Sequence, residues 1–551
     1  MHLLQILLSL SEAPLKSIIA MISIAFAAFF ALAQRPATAP LTYERLRNAP
    51  SETQNWLMYW GNYQGTHFSS LKQIDKTNVD RLQDAWTVPM TERGLLQATP
   101  LVVDGVLYTS GVPGTVYALD AATGKELWKY ERAQKTRNPN ESNLFNRGVA
   151  VMGNRLFAGT LDAALIALDR TSGKLLWETQ VADTMLGYSI TQAPLVLKDR
   201  VIVGVAGGEF GIRGFIDAYA LDTGKLLWRF NSVPGPGEFG NNTWGGDSWM
   251  HGGGSTWLTG TYDAELDTLY WPIGNPGPDI DGSARPGDNL FTCSVVALDP
   301  KTGRRKWHYQ FTPHDTHDWD STEDMVLVDR MYKGQQRKLL LHADRNGMLY
   351  VLDRTNGKFL SATAFIKQTW NAGFDADGRP KIVEGSDASP DGSIAVFPSL
   401  GGGTNFQSPS YDPSTGWLIL EYQESGQRYF ITPQPYTAGR QYQGGRQTRV
   451  TDEPATAGIR ALNPETGKVE WETRITRGSL NNGLLATGGG LVFASTGDGN
   501  LLILDSKTGE QLRAIKLANG MGSAPMSYSV GGKQFIGVMA GTVLHALSLP
   551  N

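Results

Sequence analysis

Cysteine occurs once in 551 residues, at Cys293, so the chain can form no internal disulfide. Stability must then come from core burial, and a lone Cys between Thr292 and Ser294 is expected as a small buried side chain. The missing CxxCH motif excludes a covalently attached c-type haem. Basic residues are not in excess: 49 Lys and Arg face 53 Asp and Glu, with no basic stripe, which excludes nucleic acid as a partner. After Ala33 no run is apolar enough to cross a bilayer.

The one long apolar run lies at the start. Lys16 precedes Ile18 to Ala33, broken only by Ser23, and the run closes on Ala31-Leu32-Ala33, the small-x-small pattern of a signal-peptidase site. Residues 1–33 are therefore expected to be a secretory signal cleaved after Ala33, with a retained membrane anchor as the alternative. Residues 34–551 are expected to form one domain.

What is present is a repeat. ALDAATGKELW at 118–128 returns as ALDRTSGKLLW at 167–177, AYALDTGKLLW at 218–228, ALDPKTGRRKW at 297–307 and ALNPETGKVEW at 461–471. Weaker copies at 351–361 and 503–513 keep the turn and lose the tryptophan. Each copy reads as a strand, a T-G turn in which glycine takes positive φ, and a second strand; another alternating pair precedes it. Four-strand repeats of this length predict a β-propeller. VLHALSL at 543–549 matches the strand before the turn and LQDAWTV at 82–88 the strand after it. The expected fold is therefore all-β: an eight-bladed propeller whose ring is closed by the two chain ends, with the tryptophans stacked between blades.

Functional groups are expected where the repeat is broken. FTPHDTHDWD at 311–320 crowds two histidines and three aspartates into one segment, AGGEFGIRG at 206–214 places Glu209 in a glycine-rich turn, and GNPGPDIDGSARPGDN at 274–289 places Asn275 between Gly274 and Pro276. GDSWMHGGGSTW at 246–257, ADRNG at 343–347 and GGGTNFQSPSYDP at 401–413 also break it. Glu209, Asn275 and Asp318 make an all-oxygen set suited to a hard cation such as calcium; singly, each is also an ordinary turn residue.

Taken together, the repeats, GGEFGIRG, GNPGP, RPGDN, TPHDxxDWD, DRNG and GGTNFQSPSYDP resemble the quinoprotein alcohol dehydrogenases, which use pyrroloquinoline quinone (PQQ), over about residues 54–549. The resemblance implies that Glu209, Asn275 and Asp318 hold a metal ion, that Asp318 is the catalytic base, and that Arg345 sits beside the quinone carbonyls. It implies that Trp257 is the floor under the quinone ring and that Arg147, Thr191, Gly207, Gly208 and Asn405 contact the cofactor. The implied reaction oxidises an alcohol to an aldehyde or ketone, hydride passing to metal-bound PQQ in the periplasm. With no haem in the chain, an external acceptor such as a cytochrome c takes the electrons; a homodimer is compatible.

Several positions depart from the methanol-oxidising branch. Glu141 and Ser142 replace a pair of adjacent cysteines, Gln97 replaces a cofactor-binding glutamate, and Asn481 replaces a tryptophan that narrows the substrate cavity. Asp320, two residues after the base, matches the lanthanide-type enzymes and favours a lanthanide over calcium, although glucose-oxidising relatives also carry an aspartate there. A sugar or polyol dehydrogenase and a non-catalytic propeller scaffold of the outer-membrane assembly type are the alternatives. Retention of Glu209, Asn275, Asp318, Trp257 and Arg345 speaks against the scaffold.

Overall fold

The computed structural model describes residues 39–90, 95–112, 114–141, 144–475, 480–518, 520 and 522–550. The expected signal segment, Ser142 and the side chain of Asn481 fall outside them. Residues 41–551 make one compact unit. Among the described residues no helix is long and apolar enough to cross a membrane.

Eight sheets follow one another, seven of four antiparallel strands and one of five, in which Phe68–Ser69 adds in parallel to the first strand of an antiparallel four. In chain order they are blade 1 (101–131), blade 2 (149–180), blade 3 (195–231), blade 4 (261–310), blade 5 (326–364), blade 6 (410–474), blade 7 (480–516) and blade 8 (526–548 with 83–89). In blade 1 the first two strands are wholly buried while the fourth, Glu126–Glu131, alternates toward solvent. Blade 8 joins the chain ends as expected: Gln83–Pro89 pairs antiparallel with Val543–Ser548, placing Trp86 opposite Ala546.

The two landmarks of the repeat meet between neighbouring blades, not within one. In the turn of blade 1, Asp120 accepts the amides of Ala122 and Thr123 at 3.0 Å each, which lets Gly124 turn at φ +73°. A Cβ on that glycine would stand 2.7 Å from the ring of Trp86, and its counterparts face Trp128, Trp177, Trp228, Trp307 and Trp471 in the same way. The glycine is thus fixed by both φ and close approach. The indole N–H of Trp128, Trp177, Trp228 and Trp471 donates to a carbonyl of the next blade at 3.0 Å, satisfying the one polar atom of a ring otherwise packed on apolar surface. Where the tryptophan is lost, other contacts take over: Arg513 donates to the carbonyls of Val79 and Asp80 at 2.7 and 2.5 Å, and Thr363 packs on Gly467. The ring closes without an unpaired blade, and the lone Cys293 is buried inside it, as expected.

The breaks in the repeat are insertions. Residues 274–293 separate two strands of blade 4, and a hairpin of Gln427–Ile431 and Gly445–Arg449 is inserted in blade 6. The segment between those two strands, 432–444, is referred to below as the strap.

Candidate active site

Glu209 sits in the single turn of 3-10 helix Gly208–Phe210, between two left-handed glycines, Gly207 at φ +115° and Gly211 at φ +59°. A Cβ at Gly207 would collide with the carbonyl of Gly187, so the tight turn presenting Glu209 admits only glycine. In the acidic segment Asp318 takes φ +61°, a conformation that aspartate tolerates better than most residues. Its neighbours hold the turn. Asp315 accepts the amides of His317 and Trp319 at 3.2 and 3.0 Å, His314 contacts the Gly287 carbonyl at 2.7 Å, and His317 contacts Ser386 at 2.8 Å and stacks on Trp319. Asp320 lies against Gly274, where a Cβ would strike its Oδ1, and that oxygen accepts the amide of Asn275 at 3.0 Å.

Arg345 is the cation among these acids. Its Nη2 is 3.3 Å from Asp320 Oδ2, its Nη1 donates to the Asp318 carbonyl at 2.6 Å, and its backbone amide donates to Glu323 Oε2 at 3.3 Å. Burial alone would lower its pKa, but Asp320, Asp318 and Glu323 outweigh that and raise it. The acids remain in excess. Burial, and then the charge of Asp279, push Asp318 well above the carboxylate range; burial and Glu209 do the same to Asp279, and burial raises Asp320 against the pull of Arg345. Like charges this close, with little water, favour a protonated cluster unless a cation joins it.

One cavity of about 220 Å³ opens onto Glu209, Asp318, Asp320 and Arg345. The same cavity is lined by Gln97, Arg147, Thr191, Gly207 and Trp257, so residues from widely separated inserts converge. Gly208, Asn275 and Asn405 are not on its wall. The Asn275 amide donates to Asp279 Oδ1 at 2.9 Å, and the Asn405 amide donates to the Gly401 carbonyl at 3.2 Å while its oxygen accepts the amide of Phe406. Arg147 stacks on Trp257, 4.7 Å from the ring centroid, and on Phe406 at 5.1 Å; burial brings its pKa down to about 10. Its backbone amide donates to the Thr191 carbonyl, and Thr191 Oγ1 donates to the Trp257 carbonyl.

Sequence reasoning missed two groups. Phe145, Ala206, Leu400 and Phe406 complete the wall, and apolar residues outside the repeat carry no chemical signature. Behind Arg345, Glu323, His342 and Asp344 form a buried set, with His342 Nε2 3.1 Å from Asp344 and 3.9 Å from Glu323. This mixed nitrogen and oxygen set can hold a metal ion, but its Glu323 Oε2 already accepts the Arg345 amide. The signal available for it was the HADR sequence at 342–345, two residues of which, His342 and Asp344, enter the set.

The chain matches the family model described as glucose/ethanol/alcohol dehydrogenase, beta-propeller domain, for PQQ, over residues 56–364 and 464–536. The chain belongs to the PQQ-dependent alcohol dehydrogenases. It is 40% identical over 511 residues to the quinohemoprotein alcohol dehydrogenase ADH IIB of Pseudomonas putida, covering 88% of this chain and 73% of that protein. It is 36% identical to the quinoprotein alcohol dehydrogenase PedH of Pseudomonas putida, covering 92% and 89%. A europium-containing methanol dehydrogenase superposes with a TM-score of 0.87 at 31% identity, covering 92% of this chain and all of that one.

Membership of the PQQ-dependent alcohol dehydrogenases implies PQQ and a metal ion, and the residues present fit both. Arg147 Nε and Arg345 Nε are buried donors on the cavity wall without hydrogen-bond partners among the described residues, as an anionic cofactor requires, and Gln97 Oε1 is an unmatched acceptor beside them for a polar N–H or O–H. The excess of buried carboxylate fits a hard cation.

Proposed function

We propose that this chain is a periplasmic dehydrogenase that oxidises an alcohol to an aldehyde or ketone, using Asp318 as base and Glu209, Asn275, Asp318 and Asp320 around one cation. The observation that carries this reading is the convergence of Glu209, Asp318 and Asp320 with Arg147 and Trp257 on one cavity. When bound, PQQ supplies the acceptor for the carbinol hydride and the cation supplies Lewis acidity. Asp318 accepts the hydroxyl proton, which requires it ionised; burial and the charge of Asp279 oppose that form, Arg345 favours it, and the positive charge of a bound cation would tip the balance. Arg345 also anchors the base by holding its carbonyl, so side chain and backbone are oriented together. Trp257 and Arg147 flank the cofactor position, and Gln97, Thr191 and Gly207 contact it from the same wall. Phe145, Leu400 and Phe406 make an apolar wall that suits the carbon chain of an alcohol larger than methanol.

The cation we infer is a lanthanide. Asp320 adds a carboxylate beside Asp318, and a trivalent ion gains more from that charge than calcium does. The likeness to a europium-containing enzyme is compatible with this. Electrons leave to an acceptor such as a cytochrome c. Asp318→Asn should keep the fold and the bound cofactor and lower kcat by at least a hundredfold; unchanged turnover removes Asp318 from the base position.

A further inference from the structure

The strap, residues 432–444, crosses from blade 6 to the turn that bears Glu209. Its sequence is polar, with two prolines and two glycines, and most of its side chains face solvent. The exceptions mark its anchors: Gly439 and Gly444 are buried, and Tyr436 and Tyr442 are half-buried.

At the first anchor, the Tyr442 amide donates to the backbone carbonyl of Glu209 at 2.6 Å. The rings of Tyr436 and Tyr442 cover Gly211, two residues further on, where a Cβ would stand 3.1 and 3.0 Å from them. The helical turn bearing Glu209 is therefore held by a hydrogen bond at its centre and by two rings at its end. Tyr436 also stacks on His251, with ring centroids 3.4 Å apart and planes 16° from parallel, and His251 precedes Trp257 in its insert. At the far end, the Ile280 amide donates to the Gln443 carbonyl at 2.9 Å, and Gly444 packs against Pro278 and Asp281, in the loop that carries Asn275 and Asp279. Between Tyr436 and Tyr442 the Gly439 carbonyl accepts Asn138 and Asn140 at 3.0 and 3.1 Å. A Cβ on Gly439, which turns at φ +71°, would strike the Met185 carbonyl, so this crossing point also requires glycine.

We infer that the strap is a latch on the metal site: by clamping the Glu209 turn and the Asn275 loop together, it slows release of the cation. Tyr436 and Tyr442 are positioning residues in this device, since neither lines the cavity. The inference rests on the proposed cation site and adds to it the element that retains the ion. One lost stack or one lost hydrogen bond of this kind changes a rate by about tenfold.

The test uses the full-length protein loaded with terbium, whose luminescence is sensitised by nearby aromatic rings, and chases it with excess EDTA. Tyr436→Ala and, separately, Tyr442→Pro, which deletes the amide donor, should release terbium about tenfold faster than wild type. Tyr436→Phe keeps the ring and should restore slow release. Folding of each variant is checked by far-UV circular dichroism, and Tyr436→Ala, a partly exposed position, carries the test if the proline variant does not fold. Release at the wild-type rate from folded Tyr436→Ala overturns the latch while leaving the metal site intact. No terbium uptake by wild type overturns the cation site itself, and the latch with it.

Discussion

Removing the carboxylate of Asp320 should erase the preference for a trivalent over a divalent cation. Asp320 stands on the cavity wall with Oδ2 3.3 Å from Arg345 and Oδ1 on the Asn275 amide. Two unit charges about 4 Å apart interact by about 4 kcal/mol at an effective dielectric of 20. A lanthanide carries one charge more than calcium, so losing this carboxylate costs the trivalent ion about 4 kcal/mol more, about a thousandfold in relative affinity. Arg345 neutralises part of Asp320, which makes that figure an upper bound. Competition of terbium against calcium on the PQQ-loaded protein, read by luminescence for wild type, Asp320→Asn and Asp320→Ala, measures the ratio directly. Both variants should shift it toward calcium by at least tenfold. An unchanged ratio refutes the reasoning and leaves Asp320 only as a prop for Arg345.

Two further outcomes follow from groups outside the cavity. Glu421 is buried, and burial raises its pKa from 4.5 to about 8 even though it accepts the Gly483 amide at 3.1 Å. The folded state keeps this proton after the unfolded chain has lost it. Its contribution is therefore fully favourable below pH 4.5, declines as pH rises, and levels off above about 8. Glu421→Gln should remove up to about 5 kcal/mol of that decline, measured as the wild-type minus variant stability in urea at pH 5 and pH 8.5. Gly303→Ala combines φ +71° with a Cβ 2.6 Å from Trp228, whereas Gly237 has φ +83° and open space around it. The first substitution should cost about 3 kcal/mol and the second about 1 kcal/mol by urea midpoint; equal costs would show that tryptophan docking does not constrain the turn.

The propeller was legible because one physical unit recurs. An Asp that caps a turn, a glycine with positive φ and a tryptophan four residues later repeat often enough to be counted, and the split eighth blade follows from matching Trp86 to that pattern. What the repeat could not convey was that the glycine and tryptophan of one copy serve different interfaces. Many residues of the site were legible because they break the repeat in recognisable motifs, and seven polar residues share one cavity wall with Gly207 and Trp257. Asn275 shows the limit of such reading: its backbone amide donates to Asp320 and its side-chain amide donates to Asp279, a buried acid inside the same GNPGPD segment. Phe145 lies in a strand of only two residues and Leu400 and Phe406 in loops, none with periodicity, and the strap reads as a plain polar loop. Their positions are set by how distant inserts fold over one another, which local propensity does not encode.

Reconstitution tests the central claim most directly. Purified protein incubated with PQQ and either a light lanthanide or calcium, then given primary alcohols and an artificial dye acceptor, should bind the quinone and reduce the dye only when both quinone and metal are present, with the lanthanide giving the higher rate. Failure to bind PQQ, with no dye reduction under any combination of metal and alcohol, would contradict the account.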